Sequence, residues 1–204
     1  MTYCLSAPGH PVHGPYHDTE YGFPLRDDAG LFERLVLEIN QAGLSWLTIL
    51  KKREAFRSAY GGFDPHVVAR YGEVDRARLL ADAGIIRNRL KVDAAIHNAG
   101  VIVGIIASHG SFAAWLDAQG ELSKEQWVKR MKQEFKFMGG EIVGEFLMSI
   151  GRLPGAHTSD CPIGQSLRAA EGGEAIRAQR GSAPQAEGGE AILTRIASAL
   201  RASQ

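Results

Sequence analysis

Two cysteines, each close in sequence to histidine, are the residues best suited to bind a metal ion. His157 and Cys161 are separated by three residues, which places both side chains on one side of a turn. Two thiolates and two imidazoles form a closed tetrahedral site for Zn²⁺. Unrelated thiols among scattered histidines would give the same pattern. The spacing leaves open which N-terminal residues would take part, since one cysteine is followed there by three histidines: Cys4, His10, His13 and His17.

Glu38 is the carboxylate with the most informative position. On a helical wheel it lies at the edge of an apolar stripe, about 20° from Leu31, and it precedes the glycine-containing segment QAGLSW at 41–46. A partly desolvated carboxylate near aromatic groups can have a raised pKa or bind a cation. Tyr16 and Trp46 could form an aromatic slot for such a ligand. Solvated glutamates at helix edges and aromatic residues in cores are the common alternatives.

A turn within residues 73–106 could bind phosphate. The pattern predicts a helix, a tight turn at Gly84 and a long second helix. We expect a positive φ at Gly84 and free backbone N–H groups beside Arg87 and Arg89. Amides and guanidinium groups together bind phosphate. Other helical hairpins share this pattern, so the spacing alone leaves the function of the turn open.

Helical signals dominate the elements that must position these residues. No segment of four or more residues alternates with period two, and an apolar stripe from Leu31 to Ile39 predicts an amphipathic helix. The expected fold class is all-α. Residues that favour helix ends mark the predicted boundaries: Asp27-Asp28, Gly43, Ser45, Gly61-Gly62, Asp64-Pro65 and Ser123.

Composition restricts the class of protein. The chain has 204 residues, 45% of them hydrophobic, and 23 Lys/Arg balance 23 Asp/Glu. Residues 51–100 nevertheless carry ten basic against six acidic residues, which gives either a basic surface or ordinary solvated helix faces. The longest apolar run, 101–107, is shorter than the roughly 20 residues that span a membrane. We therefore expect a cytoplasmic protein without a membrane partner, and the lack of a phosphate loop predicts no nucleotide cofactor.

The composition changes at Pro162 to Ala, Gly, Glu and Arg, and the sequence AEGGEAI occurs at 170–176 and again at 186–192. Two polar copies are too few for a repeat fold. We expect residues 1–161 to form the functional domain and residues 162–204 a largely disordered tail. A chain truncated after Pro162 would then remain active.

Six segments together resemble the DNA-3-methyladenine glycosylase I family, the constitutive bacterial branch of the helix-hairpin-helix glycosylases. The resemblance runs from Cys4 to Cys161 in consistent order and excludes the tail. The segments are PYHDTEYG (15–22), LEINQAGLSW (37–46), KKRE (51–54), DAGIIRNRLK (82–91), FKFMGGEIVGEFLMSIG (135–151) and HTSDC (157–161).

The resemblance implies a structural zinc ion and a pocket for a base. The zinc would join the ends of the core in a closed, non-catalytic site, and Glu38 would be the catalytic residue. Three aromatic residues would bind the base: Tyr16, Trp46 and Tyr21. The zinc ligands would be Cys4, His17, His157 and Cys161.

The resemblance also implies two contacts with DNA. The hairpin turn with Gly84 and Arg87 would anchor the backbone. The loop that includes Gln41, Gly43 and Leu44 would enter the duplex where the base is extruded. The expected partner is double-stranded DNA with alkylated bases. The protein is expected to be a monomer in the bacterial cytoplasm, associated with the nucleoid when it acts.

The implied activity is hydrolysis of the glycosidic bond of 3-methyladenine, the first step of base excision repair. This base is cationic in DNA, so the enzyme needs recognition more than activation. No Asp or Glu occurs between Asp93 and Asp117, where related glycosylases place a catalytic aspartate, and no lyase activity is expected. Ser6 stands at a position that is often aromatic in the family, and this loss of pocket wall would weaken affinity for the base or broaden the range of accepted lesions.

Two other functions compete with this interpretation. A non-catalytic scaffold of the same fold would bind alkylated or abasic DNA without releasing a base. A zinc hydrolase would need an open coordination position, and the chain has no His-Glu-x-x-His motif.

Overall fold

The computed structural model of the chain describes residues 3–179, and their side chains as far as residue 170. Within these residues the protein is all-helical and contains no strand, as predicted. Its elements are α1 Tyr3–Ser6, α2 His13–Thr19, α3 Asp28–Gln41, α4 Trp46–Ala59, a 3₁₀ turn Gly61–Phe63, α5 Pro65–Val68, α6 Glu73–Ala81, α7 Arg89–His109, α8 Phe112–Ala118, α9 Lys124–Met131, α10 Gly140–Ser149 and α11 Pro162–Gln179.

The chain forms two compact units. In the described residues, the first unit comprises 3–24 and 148–179 and contains α1, α2 and α11. The second unit comprises residues 25–147 and contains α3 to α9. The boundary that composition suggested after Cys161 therefore falls inside the first unit.

Helix starts in the second unit follow the predicted capping residues. Asp27 accepts a hydrogen bond from the backbone N–H of Gly30, and Ser45 accepts one from Thr48. Asp64 caps α5, where Pro65 occupies the first turn. Ser123 and Gln126 exchange hydrogen bonds in a capping box. These local interactions fix where the helices begin.

Helix α7 is the central element of the second unit and contacts α3, α5, α6 and α8. The most apolar 18-residue window of this 21-residue helix has a mean hydropathy of 1.5, so the helix could cross a membrane by length and composition alone, which the short apolar runs did not predict. Half of its most apolar window is buried in the protein, including Val92, Ala99 and Ile102. We therefore interpret α7 as a core helix.

The first unit has a small apolar core that includes the start of α11. Phe23, Cys161, Ile163 and Leu167 are buried together, and Cys4 packs against them. Residues 162–179 are thus helical where disorder was expected. Pro162 favours a helix start, and apolar residues four positions apart lie on one face. Residues 180–204, which include the second AEGGEAI copy, lie outside the described residues.

The packing of α11 predicts that its first turns are needed for stability. Leu167→Ala should lower the free energy of unfolding by about 2–3 kcal/mol, because it leaves a cavity beside Phe23 and Cys161. Urea unfolding followed by circular dichroism would measure the change. Ser166→Ala, on the neighbouring position of the same helix, is the control. Equal stability of the two variants would contradict the packing described here.

Candidate functional site

Four residues of the first unit bring their ligand atoms together. One atom each of Cys4, His17, His157 and Cys161 lies within 4.8 Å of the others. The Nδ1 atom of His157 is 3.6 Å from the Cys4 sulfur and 3.5 Å from the Cys161 sulfur. His17 Nε2 is 3.7 Å from the Cys161 sulfur. Zn–S bonds of about 2.3 Å and Zn–N bonds of about 2.0–2.1 Å at tetrahedral angles separate S and N by about 3.6 Å. The cluster therefore has the dimensions of a closed metal site.

Hydrogen bonds orient both imidazoles toward this cluster. The other nitrogen of His17, Nδ1, is 2.7 Å from the Asp18 carboxylate. The other nitrogen of His157, Nε2, is 2.7 Å from the Tyr21 carbonyl. Such partners fix the tautomer of a metal-binding histidine and leave the ligand nitrogen without a proton. Burial also lowers the pKa of His157, which favours the neutral ring that a metal requires.

The structure resolves the choice among the three N-terminal histidines. The ring nitrogen Nδ1 of His10 accepts hydrogen bonds from the backbone N–H groups of Val12 and His13. His13 Nδ1 is 3.1 Å from the Tyr3 hydroxyl. Neither ring belongs to the cluster. Only His17, one helical turn beyond His13 in α2, joins the cysteines.

Three tyrosine rings contact one another in the first unit, and two of them, Tyr3 and Tyr21, also contact histidines of the cluster. Tyr16 and Tyr21, both predicted to bind the base, are buried, and their ring centroids are 5.8 Å apart. Tyr3 contacts both rings, at 6.5 and 5.3 Å. Ser6 is exposed at the end of α1, and its hydroxyl donates to the Tyr3 carbonyl. Tyr3 is thus an aromatic neighbour of the predicted base-binding residues that sequence patterns did not identify.

Glu38 is buried in α3 of the second unit, with only 5% of its surface exposed. Burial raises the pKa of Glu38 to about 8, the positive charge of Arg34 opposes the rise, and the carboxylate of Glu145 adds to it. The helical wheel had placed this residue at an edge, and the structure places it inside. Glu145, in the predicted core helix EIVGEFLMSIG, was not identified from the sequence.

The loop between α3 and α4 begins one helical turn after Glu38, since α3 ends at Gln41. Gly43 has a φ of +83°, which allows the chain to turn. The Leu44 N–H donates to the Gln41 carbonyl at 2.7 Å, and the Gln41 side chain donates to the Leu44 carbonyl. This closed turn leaves Leu44 40% exposed, and Trp46 begins α4 immediately after it. An exposed apolar residue on a short, internally bonded turn is suited to insertion between bases.

The predicted hairpin turn joins α6 to α7, but the reason for its glycine differs from the expectation. Gly84 is not among the residues with positive φ. A Cβ atom on Gly84 would lie 2.9 Å from Ala55 Cβ and 2.9 Å from an Asp82 carboxylate oxygen. Glycine is required because α4 approaches the turn closely. Arg87 is exposed in the turn itself, and α7 begins two residues later.

Two lysines bind backbone carbonyls of these loops, a role that sequence patterns did not reveal. Lys52 of α4 donates to the carbonyls of Ala83 and Gly84 in the hairpin turn, at 2.8 and 3.2 Å. Lys91 of α7 donates to the carbonyls of Asn40 and Ala42 at the end of α3, at 2.9 and 2.8 Å. The two predicted DNA contacts are therefore joined to each other within the second unit.

Comparisons with known proteins agree with this architecture. A sequence profile of the methyladenine glycosylase family matches residues 6–132. DNA-3-methyladenine glycosylase 1 of Escherichia coli (strain K12) is 35% identical over 170 residues, which cover 74% of this chain and 90% of that protein.

Solved structures share the fold. The structure of 3-methyladenine DNA glycosylase I from Staphylococcus aureus, determined for its recognition of 3-methyladenine, is 35% identical, with a TM-score of 0.71 over 80% of this chain and 96% of that chain. A tyrosine-to-phenylalanine variant of 3-methyladenine DNA glycosylase I in complex with 3-methyladenine also gives 0.71 and 35% identity, over 80% and 97% of the two chains.

The raised pKa of Glu38 predicts a pH-dependent cost to stability. The folded chain keeps this proton up to about pH 8, whereas the ordinary pKa of a glutamate carboxyl is 4.5. Between these values the unfolded state loses the proton first, so the carboxyl destabilises the fold progressively as pH rises. Glu38→Gln should therefore gain stability relative to wild type by up to about 1.4 kcal/mol per pH unit across this window.

Urea unfolding between pH 4 and pH 9 would measure this difference. Glu121→Gln, on an exposed residue, controls for the exchange of carboxyl for amide. A constant difference between wild type and Glu38→Gln at all pH values would show that Glu38 ionises normally.

Proposed function

This chain belongs to the methyladenine glycosylase family, and we infer that it is a DNA N-glycosylase that releases 3-methyladenine from alkylated double-stranded DNA. The observation that carries the inference is a buried carboxyl, Glu38, one helical turn before a loop that exposes an apolar side chain, Leu44. The first group can recognise a cationic base, and the second can fill the space that a flipped base leaves. The reaction begins base excision repair and leaves an abasic site.

We propose that Glu38 recognises the base through charge and a hydrogen bond. In the free protein its pKa is about 8, so the carboxyl is mostly protonated at neutral pH. A cationic base beside the carboxyl favours the ionised form and displaces the proton. An unmethylated adenine carries no such charge and leaves the cost of ionising Glu38 uncompensated. This difference provides selectivity for the methylated base.

The bond that breaks joins the base to C1′ of the sugar. Its electron pair moves to the base nitrogen, which neutralises the base. The oxygen of a water molecule then bonds to C1′, and the water proton leaves to solvent. Because the cationic base is already a good leaving group, the protein contributes mainly by extruding and holding it. No lysine adduct is part of this reaction.

Aromatic residues are proposed to add stacking to this recognition. Tyr16, Trp46 and Tyr21 match the aromatic positions of the family motifs. Stacking on a cationic base combines dispersion with attraction to the ring faces. The exposed Ser6 and the ring of Tyr3 beside Tyr16 and Tyr21 are the features through which this chain could differ in the range of lesions it accepts.

We propose that the second unit binds the DNA backbone and the duplex interior. The turn with Gly84 and Arg87 would act as the hairpin of a helix-hairpin-helix motif and bind phosphate through amides and a guanidinium group. Gln41, Gly43 and Leu44 would enter the duplex beside the extruded base. No nucleotide cofactor and no membrane takes part in this proposal. The protein would act as a monomer in the cytoplasm, at the nucleoid during repair.

We propose that the metal of the first unit is Zn²⁺. Two sulfur and two nitrogen ligands suit zinc, and four protein ligands leave no position for water. The ion would therefore be structural, and a hydrolase that uses it is not proposed. Since Cys4 and Cys161 are 157 positions apart, the ion would hold the two chain segments of the first unit together.

The proposed function is tested by incubating methylated duplex DNA with the protein and identifying the released bases by chromatography. We expect release of 3-methyladenine. Glu38→Gln should lower the excision rate roughly 10- to 100-fold while binding to abasic DNA survives. Tight binding of abasic DNA by the wild type without base release would support a non-catalytic scaffold instead.

The pH dependence of excision provides a second test. If only ionised Glu38 recognises the base, kcat/KM should rise with pH and level off above about 8, the pKa of the carboxyl in the free protein. Glu38→Gln should have a lower and flatter profile, because an amide does not titrate. Single-turnover kinetics from pH 6 to 9.5 would measure both profiles. Identical profiles would remove Glu38 from recognition.

The zinc assignment predicts different behaviour of histidines inside and outside the cluster. His17→Ala and His157→Ala should lose bound zinc and melt lower by roughly 10 °C, because the metal site contributes folding energy. His10→Ala should retain zinc, since its ring lies outside the cluster. Elemental mass spectrometry of the purified variants would measure the content. Zinc at wild-type levels in His157→Ala would refute this ligand set.

A further inference from the structure

We propose that Lys91 is a positioning residue that fixes the position of the loop 41–44 relative to the hairpin turn at Gly84. The inference rests on the proposed function, because it concerns how the protein holds an opened duplex. Lys91 has no part in the chemistry described above. Its role follows from its contacts.

The ammonium group of Lys91 caps a helix other than its own. It lies in the first turn of α7, is 8% exposed, and donates to the carbonyls of Asn40 and Ala42. The last carbonyls of a helix lack partners within the helix and carry partial negative charge. A lysine at this point satisfies two of them at once. It therefore fixes where α3 ends and where the loop begins.

The internal contacts of the loop define its shape. Its backbone turns at Gly43, where a Cβ would meet no atom within 4 Å. Two hydrogen bonds join Gln41 to Leu44 inside the loop itself. These bonds define the shape of the turn, and the bonds from Lys91 define its position on the second unit.

A second lysine makes the corresponding contact in the opposite direction. Lys52 lies in α4, which follows the loop, and donates to the carbonyls of Ala83 and Gly84 in the hairpin turn. Lys91 lies in α7, which follows the hairpin turn, and donates to the start of the loop. The helix that follows each of the two segments therefore donates hydrogen bonds to the other segment. A phosphate bound at the hairpin would then set how deeply Leu44 enters the duplex.

A double-mutant cycle on the full chain separates positioning from general stability. Lys91→Met keeps the length of the side chain but donates no hydrogen bond. We expect it to slow single-turnover excision from duplex DNA roughly 10- to 100-fold, as misplaced groups do. Affinity for free 3-methyladenine, measured by isothermal titration calorimetry, should stay within about twofold, because Glu38 is unchanged. Lys91→Arg should restore most of the excision rate.

The partner variant in the cycle is Leu44→Ala. If Lys91 acts through the loop, the double variant should be no slower than the slower single variant, whereas independent effects multiply. Lys129→Met, the same exchange at an exposed position of α9, should excise at the wild-type rate. If Lys91→Met fails to fold, Lys91→Gln replaces it in the cycle with the same expected non-additivity.

Several outcomes would overturn the proposal. Multiplicative effects of the Lys91 and Leu44 variants would show that the two residues act separately. A parallel loss of free-base binding and excision in a folded Lys91 variant would indicate a general structural role. Normal excision by Lys91→Met would also refute the inference, while leaving the proposed function intact. Failure of the wild type to release any base would instead refute the proposed function.

Discussion

The burial of α3 is the constraint on which the second unit depends. Every residue from Leu31 to Asn40 is buried, although four of the ten are polar or charged. Burial of such groups is costly unless each finds a partner. Glu33 pairs with Arg53 and Arg57 of α4, and the Asn40 side chain donates to the Val36 carbonyl. Burial raises the pKa of Glu38 to about 8, and a cationic ligand can relieve this cost of ionising the carboxyl.

Much of this architecture could be predicted from local sequence, because its causes are local. Asp27, Ser45 and Ser123 cap helices through hydrogen bonds that span three residues, and such motifs are readable in a single sequence. The motif resemblance led to the family and to His17 as the metal ligand among three candidates, which the clustered ligand atoms support. Residues 162–179 of the predicted tail form a helix, and its buried residues Ile163 and Leu167 are only two apolar positions beside a polar repeat.

The remaining errors arose where distant segments decide the conformation. Gly84 was expected to need a positive φ, but the cause is the approach of Ala55, 29 positions earlier in the chain. Lys52 and Lys91 belong to basic segments typical of solvated surfaces, and only the folded chain shows that they bind backbone carbonyls. The short apolar runs did not show that α7 is a single helix of 21 residues, and only its packing identifies it as a core helix. Long-range packing leaves no local pattern that could have predicted these features.

The separation of the metal ligands along the chain has a consequence for how the protein is made. During synthesis, Cys4 and His17 leave the ribosome first, and their partners His157 and Cys161 leave more than 130 residues later. The second unit is continuous in sequence and can fold in the interval, since domains fold as units while the chain emerges. Cys4 and His17 are then synthesised before the residues that complete the cluster, His157 and Cys161. Folding would therefore proceed from the second unit to the first, and binding of the proposed ion would be the last step.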